Sequence, residues 1–252
     1  PSDWFEFVAA APALRDAGVV PLAMGQQAWQ TDLAFGAIQV AVGGTDLYLD
    51  VLTNKNADAA ASADMTKVFE AYADARLLSV GSNVNDWNQA TNLVITGQAG
   101  GQIHGDWAQG EFQVANQVAG EDYTCLPGLG VNEIIATGGD AFYFPKQDDP
   151  AVEAAQKELA QLMISKEVQV AFNLKKGSLP IRGDVDLSAA NDCMKKGLAI
   201  LAAGNVLPDG VNAFSADTAG QMADLMVEFW NDTSITVEDA QARYVEIIAT
   251  AD

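Results

Sequence analysis

The sequence predicts an α/β protein, because short apolar strands alternate along the chain with longer helices. The run VVPLAM at 19–24 reads as a strand that Gly25 ends, and residues 102–104 read as another. Apolar residues recur with helical spacing over 29–42 and over 64–78. The chain has 252 residues, enough for one large domain or two modest ones.

The other elements follow from the same patterns and from residues that begin or end helices. Ser2 can cap a first helix that Gly18 ends, Pro150 can open a helix, and Thr236 with Asp239 resembles a capping box. Further helices are predicted at 3–15, 86–96, 108–118, 150–164, 166–174, 189–202, 218–230 and 236–249. Further strands are predicted at 123–126, 133–137 and 141–144.

Composition excludes several classes of partner. The chain carries 34 acidic and 13 basic side chains, a formal net charge of −21. That charge repels nucleic acid and anionic lipid, so neither is expected to bind. No apolar run approaches the roughly 18 residues of a membrane-spanning helix. The opening PSDWFEF has neither the basic start nor the apolar core of a signal peptide, and looks like the inside of a larger protein.

Histidine and cysteine are scarce. His104 is the only histidine, which argues against Ser-His-Asp or Cys-His catalysis, and we expect it to be structural. His104, Cys125 and Cys193 together are fewer than the roughly four ligands that a structural zinc site needs. No cofactor is predicted. The two cysteines could form one disulfide or remain two buried thiols, and their spacing leaves both open.

Five short stretches place a Trp, an Asp or a Lys at a strand end or a tight turn, where α/β proteins hold ligands. They are QQAW at 26–29, NDW at 85–87, GDW at 105–107, GGD at 138–140 and KKGSLP at 175–180. An indole stacks on the apolar face of a sugar ring, while carboxylates, amides and lysine exchange hydrogen bonds with its hydroxyls. The set therefore predicts a sugar site.

Each of these residues also has a plain structural alternative. Any of the tryptophans can serve core packing, Asp86 and Asp106 can cap helices, and Lys176 stands near a helix C-terminus, where cations are favoured. Asp140 follows two glycines at the mouth of the predicted buried strand 141–144. A carboxylate buried there without a partner is costly, so it lies in solvent or awaits a ligand.

Three ordered stretches carry a family resemblance: GDWAQGEF at 105–112, GGDAFYFPK at 138–146 and KKGSLPIRGDVD at 175–186. Together they resemble the extracellular solute-binding proteins of carbohydrate ABC transporters (family 1), and among these the glucose/galactose-type binders. The opening stretch at 2–30 is similar to the same family. Each motif is weak alone, whereas the ordered set is specific and spans essentially the whole chain.

The resemblance implies a periplasmic-binding-protein-like fold of type II, with two α/β lobes that close on a sugar. It implies that the indole of Trp107 stacks on the sugar, that Asp140 and Lys176 contact its hydroxyls, and that Trp87 is a second indole. The stretches at 138–146 and 175–186 would thus reach the same cleft as Trp107.

The resemblance assigns the remaining candidate residues less directly. Trp29 and Gln27 are near the cleft by position only. Some relatives carry a histidine in the segment that matches 211–217, where this chain has none, and we expect Asn212 to replace it. Cys125 and Cys193 fall where relatives carry a disulfide, so the resemblance favours a bridge.

The resemblance also implies a division into lobes. Residues 1–128 and 182–252 would form the C-terminal lobe, and 129–181 would belong to the N-terminal lobe, the rest of which nothing in this sequence matches. We therefore expect a fragment. Its strands near 133–144 would lack sheet neighbours and expose apolar surface.

The implied function is to bind a sugar, glucose or galactose first of all, in the periplasm and to deliver it to the membrane permease of an ABC importer. We expect a monomer without enzyme activity. An oligosaccharide is the alternative ligand. A glycosidase would need two paired carboxyls, and no motif pairs Asp106 with Asp140. An interaction module without a working site is a third alternative.

Overall fold

The computed structural model describes residues 1–208 and 213–252, with the side chain of Thr137 left out. Within them the chain is an α/β structure in which helices predominate. The helices are α1 (Trp4–Asp16), α2 (Ala28–Ile38), α3 (Gly44–Tyr48), α4 (Ala57–Ala60), α5 (Ala63–Leu78), α6 (Trp87–Ile95), α7 (Gln109–Val114), α8 (Pro150–Met163), α9 (Lys166–Lys176), α10 (Asp192–Ala203), α11 (Ala216–Asn231) and α12 (Val237–Ala249). The strands are β1 (Val20–Ala23), β2 (Ala99–Gln102), β3 (Ile135–Thr137) and β4 (Val206–Pro208).

The described strands form two parallel pairs, β1 with β2 and β3 with β4. In the first pair Leu22 lies opposite Gly101, so both strands end at the same edge. The stretch 26–29 follows β1 and the stretch 104–107 follows β2. Gln26 N donates to Asn85 O at 3.0 Å, which brings the start of α6 to this edge as well. Three of the predicted site stretches therefore meet where parallel strands of an α/β protein present ligands.

The main core lies behind this edge, where α2, α5, α11 and α12 pack. Fully buried rings of Phe35, Phe69, Tyr72, Phe229 and Tyr244 contact one another with centroids 5.0–6.2 Å apart. A side chain of this size contributes about 1.5–3 kcal/mol when fully buried. The helix α2, whose first turn carries Trp29, is therefore packed into this aromatic core through Phe35.

The predicted strand at 141–144 is wrong. These residues form no regular structure, and Phe142, Tyr143 and Phe144 are 59%, 89% and 40% exposed. Their apolar pattern is that of a strand, but β3 pairs with β4, and no described strand pairs with 141–144. A strand exists only with a hydrogen-bonding neighbour, so the pattern alone was insufficient. The apolar surface expected near 133–144 is present at 142–144, but β3 pairs with β4, so the expectation that the strands here lack a sheet neighbour is wrong for β3.

Two further predicted strands also differ. The strand predicted at 102–104 lies earlier, as β2, and the one predicted at 123–126 is reduced to a single bridge between Ala119 and Tyr123. The glycine pair in β2 conceals its strand pattern, whereas residues 123–126 have no neighbouring strand in the described part of the chain. The short strand β4 was not predicted.

Helix positions are closer to expectation than helix ends. The cap of α1 is Asp3, whose carboxylate accepts from Glu6 N at 2.8 Å, whereas Ser2 bonds the Glu6 side chain. The helix predicted over 29–42 ends at Ile38 and continues as a wider π-helical turn over Gln39–Gly43. Thr236 caps α12 as predicted. No helix in the two described ranges has the length and apolar character to cross a bilayer.

Cys125 and Cys193 form a disulfide, with Cα atoms 5.5 Å apart. The predicted bridge is therefore confirmed. It joins the loop before β3 to the first turn of α10, and Lys196 Nζ donates to Cys125 O at 3.3 Å beside it.

Candidate functional site

Three indole rings surround one imidazole just beyond β2. The centroid of the His104 ring lies 5.5 Å from that of Trp29, 5.2 Å from that of Trp87 and 5.0 Å from that of Trp107. Trp87 is stacked on the imidazole, with 22° between the planes, and Trp107 meets it edge-on. The three tryptophans predicted for the site are therefore brought together by a histidine that we expected to be only structural.

The hydrogen bonding of His104 fixes its tautomer. Trp107 Nε1 donates to His104 Nε2 at 3.0 Å. An indole nitrogen can only donate, so Nε2 is the unprotonated acceptor and the ring proton is on Nδ1. Burial lowers the pKa of His104 from 6.5 to about 4, so the ring is neutral at pH 7. The imidazole is thus a neutral ring whose orientation is fixed by its hydrogen bond to Trp107.

Lowering the pH from 7 to 5 should reduce the free energy of unfolding by about 2 kcal/mol through His104 alone. Because the pKa in the folded protein, about 4, is below the unfolded value of 6.5, only the unfolded chain gains a proton between these values. The loss is complete below pH 4. The three indoles packed on the ring carry no charge that could offset it.

Urea unfolding of the native protein and of His104→Gln, at pH 7 and at pH 5, measures the contribution of His104 to the free energy of unfolding. The variant should lose about 2 kcal/mol less stability than the native protein over this interval. As the only histidine, His104 also gives a single imidazole NMR signal. A midpoint near 6.5 for that signal in the folded protein would contradict the prediction.

Trp29 is held through Gln27 and Asp86. Trp29 Nε1 donates to Gln27 Oε1 at 2.7 Å, and Gln27 Nε2 donates to the carboxylate of Asp86. Asp86 occupies the cap position of α6, as its alternative interpretation predicted, and Gln89 Oε1 accepts from its backbone N–H at 3.1 Å. The half-exposed indole of Trp29, 43% accessible, is therefore oriented by polar contacts and remains open to a ligand.

Asp140 and Lys176 form an ion pair. Lys176 Nζ lies 2.5 Å from Asp140 Oδ2, and the aspartate side chain is 65% exposed. The carboxylate is thus neither buried nor unpaired, which resolves the question raised by its position behind two glycines. An ion pair this exposed contributes between about 0 and 1 kcal/mol, so its groups can turn to a ligand at little cost.

Lys176 also links this ion pair to the indoles. Its ammonium lies 6.0 Å from the ring centroid of Trp107 and 5.8 Å from that of Phe172. These are cation–π distances. Phe172 was missed by the sequence interpretation, although its position one helical turn before Lys176 could have indicated it.

Asp106 does not cap a helix, contrary to its structural alternative. Gly105 occupies the cap position of the short turn Asp106–Ala108, and Asp106 instead accepts from Ser178 Oγ at 2.8 Å and from Leu179 N at 3.3 Å. Desolvation raises the pKa of the Asp106 carboxyl, while these hydrogen bonds act to lower it. These bonds hold the end of α9, which carries Lys176, against the turn that carries Trp107.

Replacing Gly105 with alanine should weaken ligand binding by about tenfold or more. An added Cβ would lie 2.2 Å from Trp107 Cζ3, so the indole would have to leave its place beside His104. Overpacking of this kind costs about 1–3 kcal/mol. Titration with glucose or with galactose, with tryptophan emission as the readout, measures the effect. Gly183→Ala is the control, since nothing lies within 4 Å of its added Cβ. Equal affinity of the two variants would contradict the prediction.

Six of the seven predicted ligand residues thus form one connected set of contacts. They are Gln27, Trp29, Trp87, Trp107, Asp140 and Lys176. The seventh, Asn212, lies outside the described residues. In the part of the chain that the structure covers, no three His, Cys, Asp or Glu side chains gather as metal ligands. The set offers flat apolar faces, amide and carboxylate acceptors and one cation, which together suit a neutral polyhydroxyl ligand.

Comparison with known sequences identifies relatives along the whole chain. Residues 1–170 match the sequence model of the bacterial extracellular solute-binding proteins. The chain is 34% identical over 260 residues to a probable sugar-binding periplasmic protein of Mesorhizobium japonicum. That match covers 100% of this chain and 62% of the relative, so the chain spans less than two thirds of the relative's length.

Solved structures show the same fold. A chitin oligosaccharide binding protein superimposes with a TM-score of 0.76 at 18% identity, over 100% of this chain and 64% of the other. The bacterial solute receptor AcbH superimposes with a TM-score of 0.68 at 21% identity, over 99% of this chain and 64% of the other. The predicted periplasmic-binding-protein-like α/β fold is confirmed.

The family resemblance and the location inferred from it agree with these matches. The matching family is described as extracellular, and the Mesorhizobium relative is named as periplasmic, which confirms the predicted location. With about two thirds of its length matched by the family's sequence model, this chain belongs to the bacterial extracellular solute-binding proteins.

Proposed function

We propose that this chain contributes to a cleft that binds a sugar and, as part of a solute-binding protein, delivers the sugar to the permease of an ABC importer. The observation that carries the proposal is the contact set from Trp29 through His104 and Trp107 to Lys176 and Asp140. Indoles supply stacking faces for a pyranose, and the exposed ion pair supplies a strong acceptor and a strong donor for its hydroxyls.

A monosaccharide, glucose or galactose, fits this arrangement better than an oligosaccharide. The three indoles all contact the same imidazole, so they lie close together and do not follow an extended groove. A longer sugar would need separate platforms for successive rings. The structural relatives differ in this respect: AcbH is described as exclusive for β-D-galactopyranose, whereas the other binds chitin oligosaccharides.

Exposed apolar residues in 129–181 support the proposed division into two lobes. In α8, Val152, Leu159 and Leu162 share one face and are 42%, 49% and 56% exposed, and α8 has no buried residue. Phe142 and Tyr143 are exposed in the same segment. We propose that 129–181 packs against an N-terminal lobe, while 1–128 and 182–252 form the C-terminal lobe. Such exposed apolar surface marks an interaction site in soluble proteins.

Replacing both Leu159 and Leu162 with serine should reduce the emission of a dye that binds exposed apolar surface, such as ANS, by about half or more. Stability should change by less than about 1 kcal/mol, because neither of the two side chains is buried. Val114→Ser, at an 82% exposed position outside the segment, is the control and should leave the emission nearly unchanged. Unchanged emission in the double variant would count against the proposed lobe surface.

Sugar would act by drawing the two lobes together. A ligand that contacts both lobes favours the closed arrangement by its extra contacts there, and hinge closure around the ligand is the usual consequence. The permease would then recognise the closed, monomeric protein. Trp29, Trp87 and Trp107 would lie on the side of the cleft that the C-terminal lobe forms.

Calorimetric titration with glucose and with galactose, with tryptophan emission recorded in parallel, tests the function. We expect saturable binding accompanied by a change in indole emission. The proposal would be overturned in favour of an interaction module if the folded protein bound neither sugar. This result would have to hold both for this chain alone and for this chain joined to the N-terminal lobe. Chemical conversion of the sugar during the titration would favour a glycosidase instead.

A further inference from the structure

His104 keeps one ring nitrogen free. Its Nε2 is engaged by the indole N–H of Trp107, at 3.0 Å. That contact places the proton on Nδ1, which makes Nδ1–H a donor. In the described part of the chain no hydrogen bond from Nδ1 is formed, although three aromatic rings surround the imidazole.

The Nδ1 donor is not sealed from solvent. The described side-chain polar atoms that are sealed from solvent without a partner belong to Gln30, Gln39, Arg76, Gln109, Tyr123 and Tyr244. His104 Nδ1 is not among them. A buried ring that has one nitrogen fixed by a neighbour and the other left to solvent is oriented for a hydrogen bond of defined direction.

The neutral state of the ring matters for what it can recognise. With no charge, the imidazole offers one donor on Nδ1 and no attraction to anions. Its position among Trp29, Trp87 and Trp107 places the donor beside the apolar faces that would hold a sugar ring. The acceptor that suits it is a neutral oxygen, either a hydroxyl or the ring oxygen.

We propose that His104 is a ligand-contacting residue that determines specificity, because its Nδ1–H donates a hydrogen bond to one oxygen of the bound sugar. The inference rests on the proposed function and deepens it. A site that hydrogen-bonds one hydroxyl rejects the sugar that lacks this hydroxyl or holds it in the other orientation. His104 would therefore help to separate sugars that differ at a single carbon.

Two replacements of His104 distinguish the roles of its two ring nitrogens. In His104→Asn the amide NH₂ replaces the Nδ1 donor, whereas in His104→Gln the longer side chain can carry its oxygen to the place of Nε2. The glutamine variant keeps the acceptor for Trp107 and loses the donor to the sugar. We expect it to bind the preferred one of glucose and galactose about three- to tenfold more weakly. The asparagine variant should recover part of that loss.

Sugar analogues show whether the contact is direct. The native protein and His104→Gln are titrated with the preferred sugar and with its 2-, 3-, 4- and 6-deoxy and deoxyfluoro analogues. One deoxy position should weaken binding to the native protein but not to His104→Gln, and fluorine there should restore part of the affinity because fluorine can accept but not donate. If the ring oxygen is the acceptor, the analogue whose ring oxygen is replaced by carbon should show this pattern instead.

The outcomes are distinct. Equal affinities of the native protein and His104→Gln, or losses in the variant that are the same for every analogue, would overturn the role of His104 and leave the sugar-binding function intact. A native protein that binds neither glucose nor galactose would overturn the proposed function and this inference with it. One analogue whose penalty disappears in the variant would establish the contact.

Discussion

Replacing Asp140 with alanine is expected to weaken sugar binding by about 100-fold or more and to leave stability nearly unchanged. The carboxylate is proposed to accept hydrogen bonds from sugar hydroxyls, and each hydrogen bond to a charged group contributes about 1.5–3 kcal/mol. Its removal should not unfold the protein, because the side chain is 65% exposed and its ion pair with Lys176 is weak. Calorimetric titration measures the first effect and thermal unfolding the second.

Asp148→Ala is the matched control for this experiment. Asp148 is an exposed aspartate on the same segment, so the control removes the same charge from that segment. If the loss in Asp140→Ala reflects a direct contact, the control should keep native affinity within about twofold. Equal losses in the two variants would indicate a general charge effect, and unchanged affinity in Asp140→Ala would exclude the assigned role.

Much of the site could be predicted because it depends on local sequence. Gln27 and Trp29 directly follow the apolar strand β1, and Trp107 lies just after β2, so strand ends placed them at one edge of the sheet. Trp87 opens α6 beside a recognisable cap residue. These features are set by neighbours within a few residues, which sequence patterns describe well.

Contacts between distant segments could not be derived in this way. Asp140 and Lys176 are 36 residues apart, and only the family resemblance placed them together. Asp106 was assigned to a nearby helix cap, but its partners Ser178 and Leu179 lie more than 70 residues away. Local rules favour the nearest backbone N–H and have no means of weighing a distant partner.

The same limit explains the remaining errors. Residues 141–144 have the apolar pattern of a strand, and whether they form one depends on a neighbour that the pattern does not specify. His104 was interpreted as structural because, as the only histidine, it argues against Ser-His-Asp or Cys-His catalysis and leaves too few ligands for a zinc site. Its role among three indoles depends on the tertiary arrangement alone. A single histidine directly before the GDW stretch was the available signal.

Reducing the disulfide between Cys125 and Cys193 is expected to lower the free energy of unfolding by about 4 kcal/mol. The bridge closes a loop of 68 residues, and in the chain-entropy model a loop of this length restricts the unfolded chain by that amount. A domain of ordinary stability, with about 5–15 kcal/mol in total, would lose a large share of it. Urea unfolding with and without reductant measures the difference.

The folded state should survive this loss, because other contacts hold the same loop to α10. Lys196 Nζ donates to Thr124 Oγ1 at 3.0 Å and to Cys125 O at 3.3 Å. The double variant Cys125→Ser, Cys193→Ser should therefore fold, unfold at lower urea and show no response to reductant. A difference below about 1 kcal/mol would mean that the unfolded chain is already restricted without the bridge. Because the loop contains all of 129–181, the bridge fixes the two points between which the proposed lobe segment leaves and rejoins the C-terminal lobe, so reduction should also weaken sugar binding.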